Sequence, residues 1–114
     1  MPSKAQSLLL FAFAAAVVPA VIARTVTVTG TPGSTFEPKE VRIQPGDSVK
    51  WIMKGPIPHD VVEGSGCEEK DGGFRSPLIN GGKEYVKTFG DSGRYEYFCT
   101  PHCDSGMTGT VIVE

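Results

Sequence analysis

The sequence predicts an all-β fold, a small antiparallel β-sandwich with Greek-key connections. Short runs with apolar residues at every second position recur along the chain, separated by Gly, Pro, Asp and Ser. Successive strand residues point to opposite faces, so this alternation marks half-buried strands. No window of useful length has the 3.6-residue period of an amphipathic helix. Seven such runs in one short domain fit two sheets packed face to face.

The elements follow in order. Residues 1–6, MPSKAQ, carry one positive charge, Lys4, and SLLLFAFAAAVVPAVIA then runs from Ser7 to Ala23 without a charge. Val21-Ile22-Ala23 puts small residues at the two positions a signal peptidase reads. The pattern is that of a secretory leader over residues 1–23, cleaved after Ala23; the apolar run is short for a membrane span and holds Pro19. No twin arginine precedes it, which favours the general secretory route, and no cysteine at the cleavage site marks a lipoprotein. The domain is then residues 24–114, working in the periplasm or an equivalent extracytoplasmic space, the thylakoid lumen included.

TVTVTG (25–30) is the first strand. VRIQ (41–44) meets the turn Pro45-Gly46-Asp47, and SVKWIM (48–53) sets Val49, Trp51 and Met53 on one face. HDVVE (59–63) follows the break Pro56-Ile57-Pro58. Residues 64–82 are Gly-rich and polar and read as irregular, with Phe74, Leu78 and Ile79 as anchors. KEYVKTF (83–89) and RYEYFC (94–99) flank Gly90-Asp91-Ser92-Gly93 and read as a hairpin. TGTVIV (108–113) closes the domain. On RYEYFC the pleat puts Tyr95, Tyr97 and Cys99 on the core side and turns Phe98 outward, toward solvent or a partner.

Without the leader the chain keeps ten of its eleven basic side chains and all thirteen acidic ones, a formal charge of −3 with no basic stripe. Nucleic acid is not the expected partner. Three cysteines, an odd number, leave at least one as a free thiol, a ligand or half of an intermolecular bridge.

The chemistry concentrates in FCTPHCDSGM (98–107), which holds Cys99, His102, Cys103 and Met107. Alone, Cys99 reads as a buried inert cysteine. With His102 and Met107 in one loop turned by Pro101 and Gly106, a thiolate, an imidazole and a thioether can converge. His59, the only other histidine, stands after a Pro-rich turn; alone it reads as a surface residue. Together they make His₂Cys with a Met in reserve, the donor set of a trigonal blue-copper site with a long axial thioether. Structural zinc is a weaker fit because of the Met.

FEPKEVRIQPGDSVKW, PHDVV and YFCTPHCDSGMTGTVIV resemble the cupredoxins of the plastocyanin and pseudoazurin type. The ligand-loop spacing fits those two better than azurin or amicyanin. The resemblance implies an antiparallel β-sandwich, one copper ion per chain held by His59, Cys99, His102 and Met107, and a one-electron carrier rather than an enzyme. It implies a monomer whose His102 lies near the surface, inside an uncharged patch of Gly55, Pro56, Ile57, Pro58, Pro101 and Gly106 where redox donor and acceptor dock. A copper-handling protein without electron transfer is the alternative. A copper oxidase or nitrite reductase would need further histidines, and a binuclear copper site would need His where Met107 stands.

Three departures from the family pattern matter. Phe98 replaces the Tyr common in plastocyanins. Asp60 stands where Asn is frequent after the first ligand, and is expected to accept a hydrogen bond from Thr100 or the ligand loop. Cys103 is extra. With Cys99 on copper, Cys67 and Cys103 remain as an even pair in an oxidising compartment. In plastocyanin-like folds their segments run side by side, which implies a Cys67–Cys103 bridge; an intermolecular dimer or two free thiols stay open. Glu63, Glu68, Glu69 and Asp71, with only Lys70 among them, form either a solvated loop or a steering surface for a basic partner.

Overall fold

The computed structural model describes residues 22–114, so most of the expected leader, residues 1–21, lies outside the described residues. Nine strands follow: β1 Thr25–Gly30, β2 Phe36–Glu37, β3 Glu40–Ile43, β4 Ser48–Met53, β5 Val62–Ser65, β6 Glu68–Glu69, β7 Glu84–Thr88, β8 Gly93–Phe98 and β9 Thr108–Val113. They form two sheets, ordered β2-β1-β4-β7 and β3-β9-β8-β5-β6. The sandwich is mixed rather than purely antiparallel, because β1 runs parallel to β4 and β3 parallel to β9.

Alternation sets the faces. Val49, Trp51 and Met53 on β4 are buried, as are Val111 and Val113 on β9 and Val41 and Ile43 on β3. Trp51 sits between the sheets with ring centroids 5.2 Å from Tyr97, 5.8 Å from Tyr85 and 6.3 Å from Phe74. Gly109 lies opposite Tyr97 in the β8–β9 register, and a side chain there would run into the Tyr97 ring. The glycine before the last strand residues is therefore a packing requirement of the large aromatic facing it.

β7 and β8 do not form the expected hairpin. β7 is the edge of the first sheet and β8 is interior to the second, so residues 89–92 cross between sheets. Phe89 turns that corner: it is buried, and its ring packs on Tyr95 (5.0 Å) and Phe74 (5.8 Å). Its N–H donates to the Asp47 carbonyl and its carbonyl accepts from the Gly46 N–H, so these backbone groups bond to the β3–β4 turn.

Phe98 is not outward-facing. It is buried with Val62 and Cys103 in a small second core. Segment 64–82 is more ordered than its composition implied. Ile79 is buried and Phe74 packs on the main core, whereas Leu78 is 61% exposed and anchors nothing. Cys67 and Cys103 are joined in a disulfide with Cα atoms 5.7 Å apart, which fastens the β5–β6 turn to the loop after β8.

Candidate metal centre

Two connections build the site. The first is the strand-like stretch at 59–63. His59 pairs with Ile79 through two backbone hydrogen bonds, 3.1 Å and 2.7 Å, Ser76 N–H donates to the Val61 carbonyl, and Ser76 Oγ accepts from Val61 N–H at 2.8 Å. The Gly-rich segment thus supplies the neighbour that holds His59 in place. Gly81 is required here, since a side chain on it would strike the Gly55 carbonyl and push apart the loops beside the site.

The second connection is the loop after β8. Pro101 fixes φ at the start of a short 3₁₀ helix, Thr100–Ser105, and Gly106 ends it in the left-handed conformation with φ 96°. Cys99 N–H donates to the Met107 carbonyl at 3.0 Å and Met107 N–H to the His102 carbonyl at 3.2 Å. These bonds close the loop on itself, so residues eight apart in sequence share one end of the sandwich.

His59, Cys99 and His102 offer ligand atoms that all lie within 4.8 Å of one another. Cys99 Sγ is 3.6 Å from each imidazole Nδ1, and the two Nδ1 atoms are 3.1 Å apart. Three donors bonded to one first-row ion at about 2.0–2.3 Å stand roughly 3–4 Å from each other. The triangle therefore fits a single cation, and its imidazole–thiol composition suits copper. His59 and Cys99 are fully buried and His102 is partly exposed. Met107 is fully buried in the same core cluster, its terminal methyl close to Gly30, whose missing side chain leaves room for it and for Met53.

The electrostatics favour neutral imidazole. Burial lowers the His59 pKa most and nearby His102 adds to this, against weaker upward pulls from the Thr31 backbone and Asp60. Burial pushes the Cys99 thiol up, opposed by the backbone N–H groups of Asp60 and His102. Binding a cation must then release a proton from sulfur. Asp60 is the fastening between the two connections: its Oδ1 accepts from Thr100 N–H at 2.6 Å, so the residues following His59 and Cys99 are tied directly.

The expected patch is exposed: Gly55, Pro56, Ile57, Pro58, Pro101 and Gly106 all face solvent, with Ile57 at 46%. The acidic group is less uniform than its sequence. Glu63 is buried, 3.4 Å from Lys70 Nζ and accepting from Phe74 N–H, and Glu69 is held by Arg75 through two hydrogen bonds of 2.9 Å. Glu68 and Asp71 remain exposed without an ion pair among the described residues. Arg75, like Ser76 and Gly81, is a residue near the site that the sequence did not single out; nothing in its local pattern distinguishes it from other surface arginines.

Known proteins share this frame. Amicyanin of Paracoccus versutus is 38% identical over 101 residues, spanning 89% of this chain and 71% of that protein. Plastocyanin of Scenedesmus fuscus is 34% identical over 84 residues, spanning 69% and 86%. The crystal structure of the P. versutus amicyanin superposes with a TM-score of 0.64 at 37% identity, over 88% of each chain. Amicyanins thus stand beside plastocyanins among the relatives, whatever the ligand-loop spacing favours. Residues 23–114 match the family model of copper-binding proteins of the plastocyanin/azurin type, and the chain belongs to that family.

Proposed function

We propose that this protein carries single electrons between redox partners by means of one copper ion that His59, Cys99 and His102 would hold, with Met107 as a further, weaker donor. The observation that carries this reading is the buried triangle of two Nδ1 atoms and one Sγ. Bound there, copper would supply a one-electron couple whose potential would depend on the Met107 thioether and on the surroundings of the Cys99 sulfur.

The chain's own residues do the rest. The loop hydrogen bonds, the Asp60–Thr100 bond and the Ile79 pairing hold the donors before any ion arrives, so little needs to move when charge changes. Burial of His59, Cys99 and Met107 excludes water. His102 alone of the group is partly exposed, and the uncharged residues that flank the two histidines in sequence, Pro56, Ile57, Pro58 and Pro101, are exposed as well, which suits the small, short-lived docking of redox partners. His59 and His102 are the only histidines, so the chain has none left for a second, substrate-binding copper.

Replacing Cys99 with Ser removes the thiolate whose transition to copper colours the protein. The expected result is loss of the intense visible absorption of the oxidised form; a Cys99→Ser protein that stays intensely blue refutes the ligand assignment.

The same reading includes export and maturation after Ala23. Its support is the uncharged apolar run Ser7–Ala23 ahead of the domain, and cleavage there is compatible with the Arg24 N–H that donates to the buried Asp47 carboxylate at 2.8 Å. A free ammonium at Arg24 would keep that bond and add charge to it. The intact mass of exported protein reads the cleavage, and a mass retaining residues 1–23 contradicts it.

A further inference from the structure

The two oxygens of Asp60 do different things. Oδ1 is taken by Thr100 N–H. Oδ2 faces Arg75 Nη1 at 3.8 Å. The Asp60 side chain is 4% exposed and directly follows His59, so a nearly dry carboxylate stands beside the site. Arg75 is placed with care. Its backbone bridges Val62, and its Nε and Nη2 are both spent on Glu69, at 2.9 Å each. That fork fixes the guanidinium plane and leaves Nη1 turned toward Asp60.

At 3.8 Å the contact is too long for a hydrogen bond, so its effect is charge on charge. A carboxylate next to a redox ion favours the more positive, oxidised state, and it does so strongly where little water screens it. A fixed cation on the far oxygen cancels part of that field. We propose that Arg75 is a positioning residue for electron transfer, whose charge offsets the Asp60 carboxylate and keeps the midpoint potential of the site higher than Asp60 alone would set it. Glu69 orients Arg75 and makes the surface hairpin β5–β6 part of the electrostatic surroundings of the site.

The inference rests on the electron-carrier reading, and one experiment separates the two. Midpoint potentials are measured by redox titration of the copper-loaded protein as wild type, Arg75→Gln, Asp60→Asn and the double variant. Asp60→Asn keeps the amide oxygen that accepts from Thr100 and removes only the charge. The expected pattern is a lower potential in Arg75→Gln, a higher one in Asp60→Asn, and a double variant whose shift is the sum of the two, since the fields of separate charges add at the ion. Amide exchange at Thr100, followed in the copper-free protein, is expected to be the same in wild type and Arg75→Gln.

An Arg75→Gln potential equal to wild type overturns the inference, as does a double variant equal to Asp60→Asn, because Arg75 would then act only by holding the carboxylate and not by its own charge. Faster Thr100 exchange in Arg75→Gln overturns it too, because the residue would then act by bracing the loop. A wild-type protein with no reversible copper couple instead sinks the electron-carrier reading itself.

Discussion

Removing the Cys67–Cys103 bridge gives the most quantitative test of how the ligand loop is supported. The cysteines are 36 residues apart. In the chain-entropy account, closing a loop of that size removes about 3.8 kcal/mol of freedom from the unfolded chain at 25 °C. Cys103 is also buried against Val62 and Phe98, so truncating it to Ala adds about 1 kcal/mol of lost packing, whereas Cys67 is exposed and adds nothing. The expected loss for Cys67→Ala/Cys103→Ala is therefore about 4–5 kcal/mol, a large part of what a domain of this size possesses. The shift in Tm is roughly 15–40 °C. The assay is urea unfolding of chelator-treated protein, read by Trp51, the single tryptophan and a fully buried one. Both proteins carry Cys99→Ser, so that no thiol can attack the bridge in the unfolded state. The m-value should rise as well, since an unbridged chain exposes more surface when it unfolds. A loss below about 1 kcal/mol with an unchanged m-value would refute the reasoning.

Three further outcomes are expected. Met107→Leu should leave copper bound and the protein blue while raising the midpoint potential, because a donor that favours the oxidised ion is lost; an unchanged or lower potential counts against Met107 as axial ligand. Electron exchange with a basic redox partner should slow as salt rises and slow further in Glu68→Gln/Asp71→Asn, the two acidic residues of that segment left without an internal ion pair; a rate indifferent to ionic strength removes the steering role. At Asp47, the Arg24 and Gln44 N–H groups hold the carboxyl below its usual range, with a smaller contribution from the Arg24 guanidinium. Its stabilising effect is complete above the unfolded value of about 3.9 and fades as pH falls through the lowered folded value. Asp47→Asn should be less stable than wild type near pH 6 and converge with it in strong acid; equal unfolding midpoints near pH 6 would show the carboxylate is idle.

Much of the molecule was legible because its signals are local. Two-residue alternation identified the buried face of β4, and the spacing of Cys99, His102 and Met107 needed only a tight loop to become a site. Asp60 on Thr100 could be anticipated because both residues sit one position past a donor. Strand partnership is not local. Gly90–Gly93 has the composition of a hairpin turn, but the burial of Phe89 and its bonds to Gly46 and Asp47 decide that the chain changes sheets there. Phe98 sits on the outer face of its strand by parity, and only the bridged Cys103 and Val62 bring cover to it. Segment 64–82 looked irregular because its order comes from pairing along 59–63 and from the disulfide, neither of which leaves a periodic trace. Glu63 and Glu69 counted as surface charge until Lys70 and Arg75 were found beside them.

The place of β9 in its sheet has a bearing on biogenesis. Although it is the last strand in sequence, it lies inside the second sheet, bonded to β3 on one side and β8 on the other. Until it inserts, β3 has no partner in that sheet and β8 has one side open. A nascent or clipped chain that stops soon after Met107 contains His59, Cys99, His102 and Met107 but lacks the strand that unites the sheet behind them. Such a chain carries every donor but not the sheet that sets them in place, so the geometry of the site depends on a strand that follows all of its ligands in sequence.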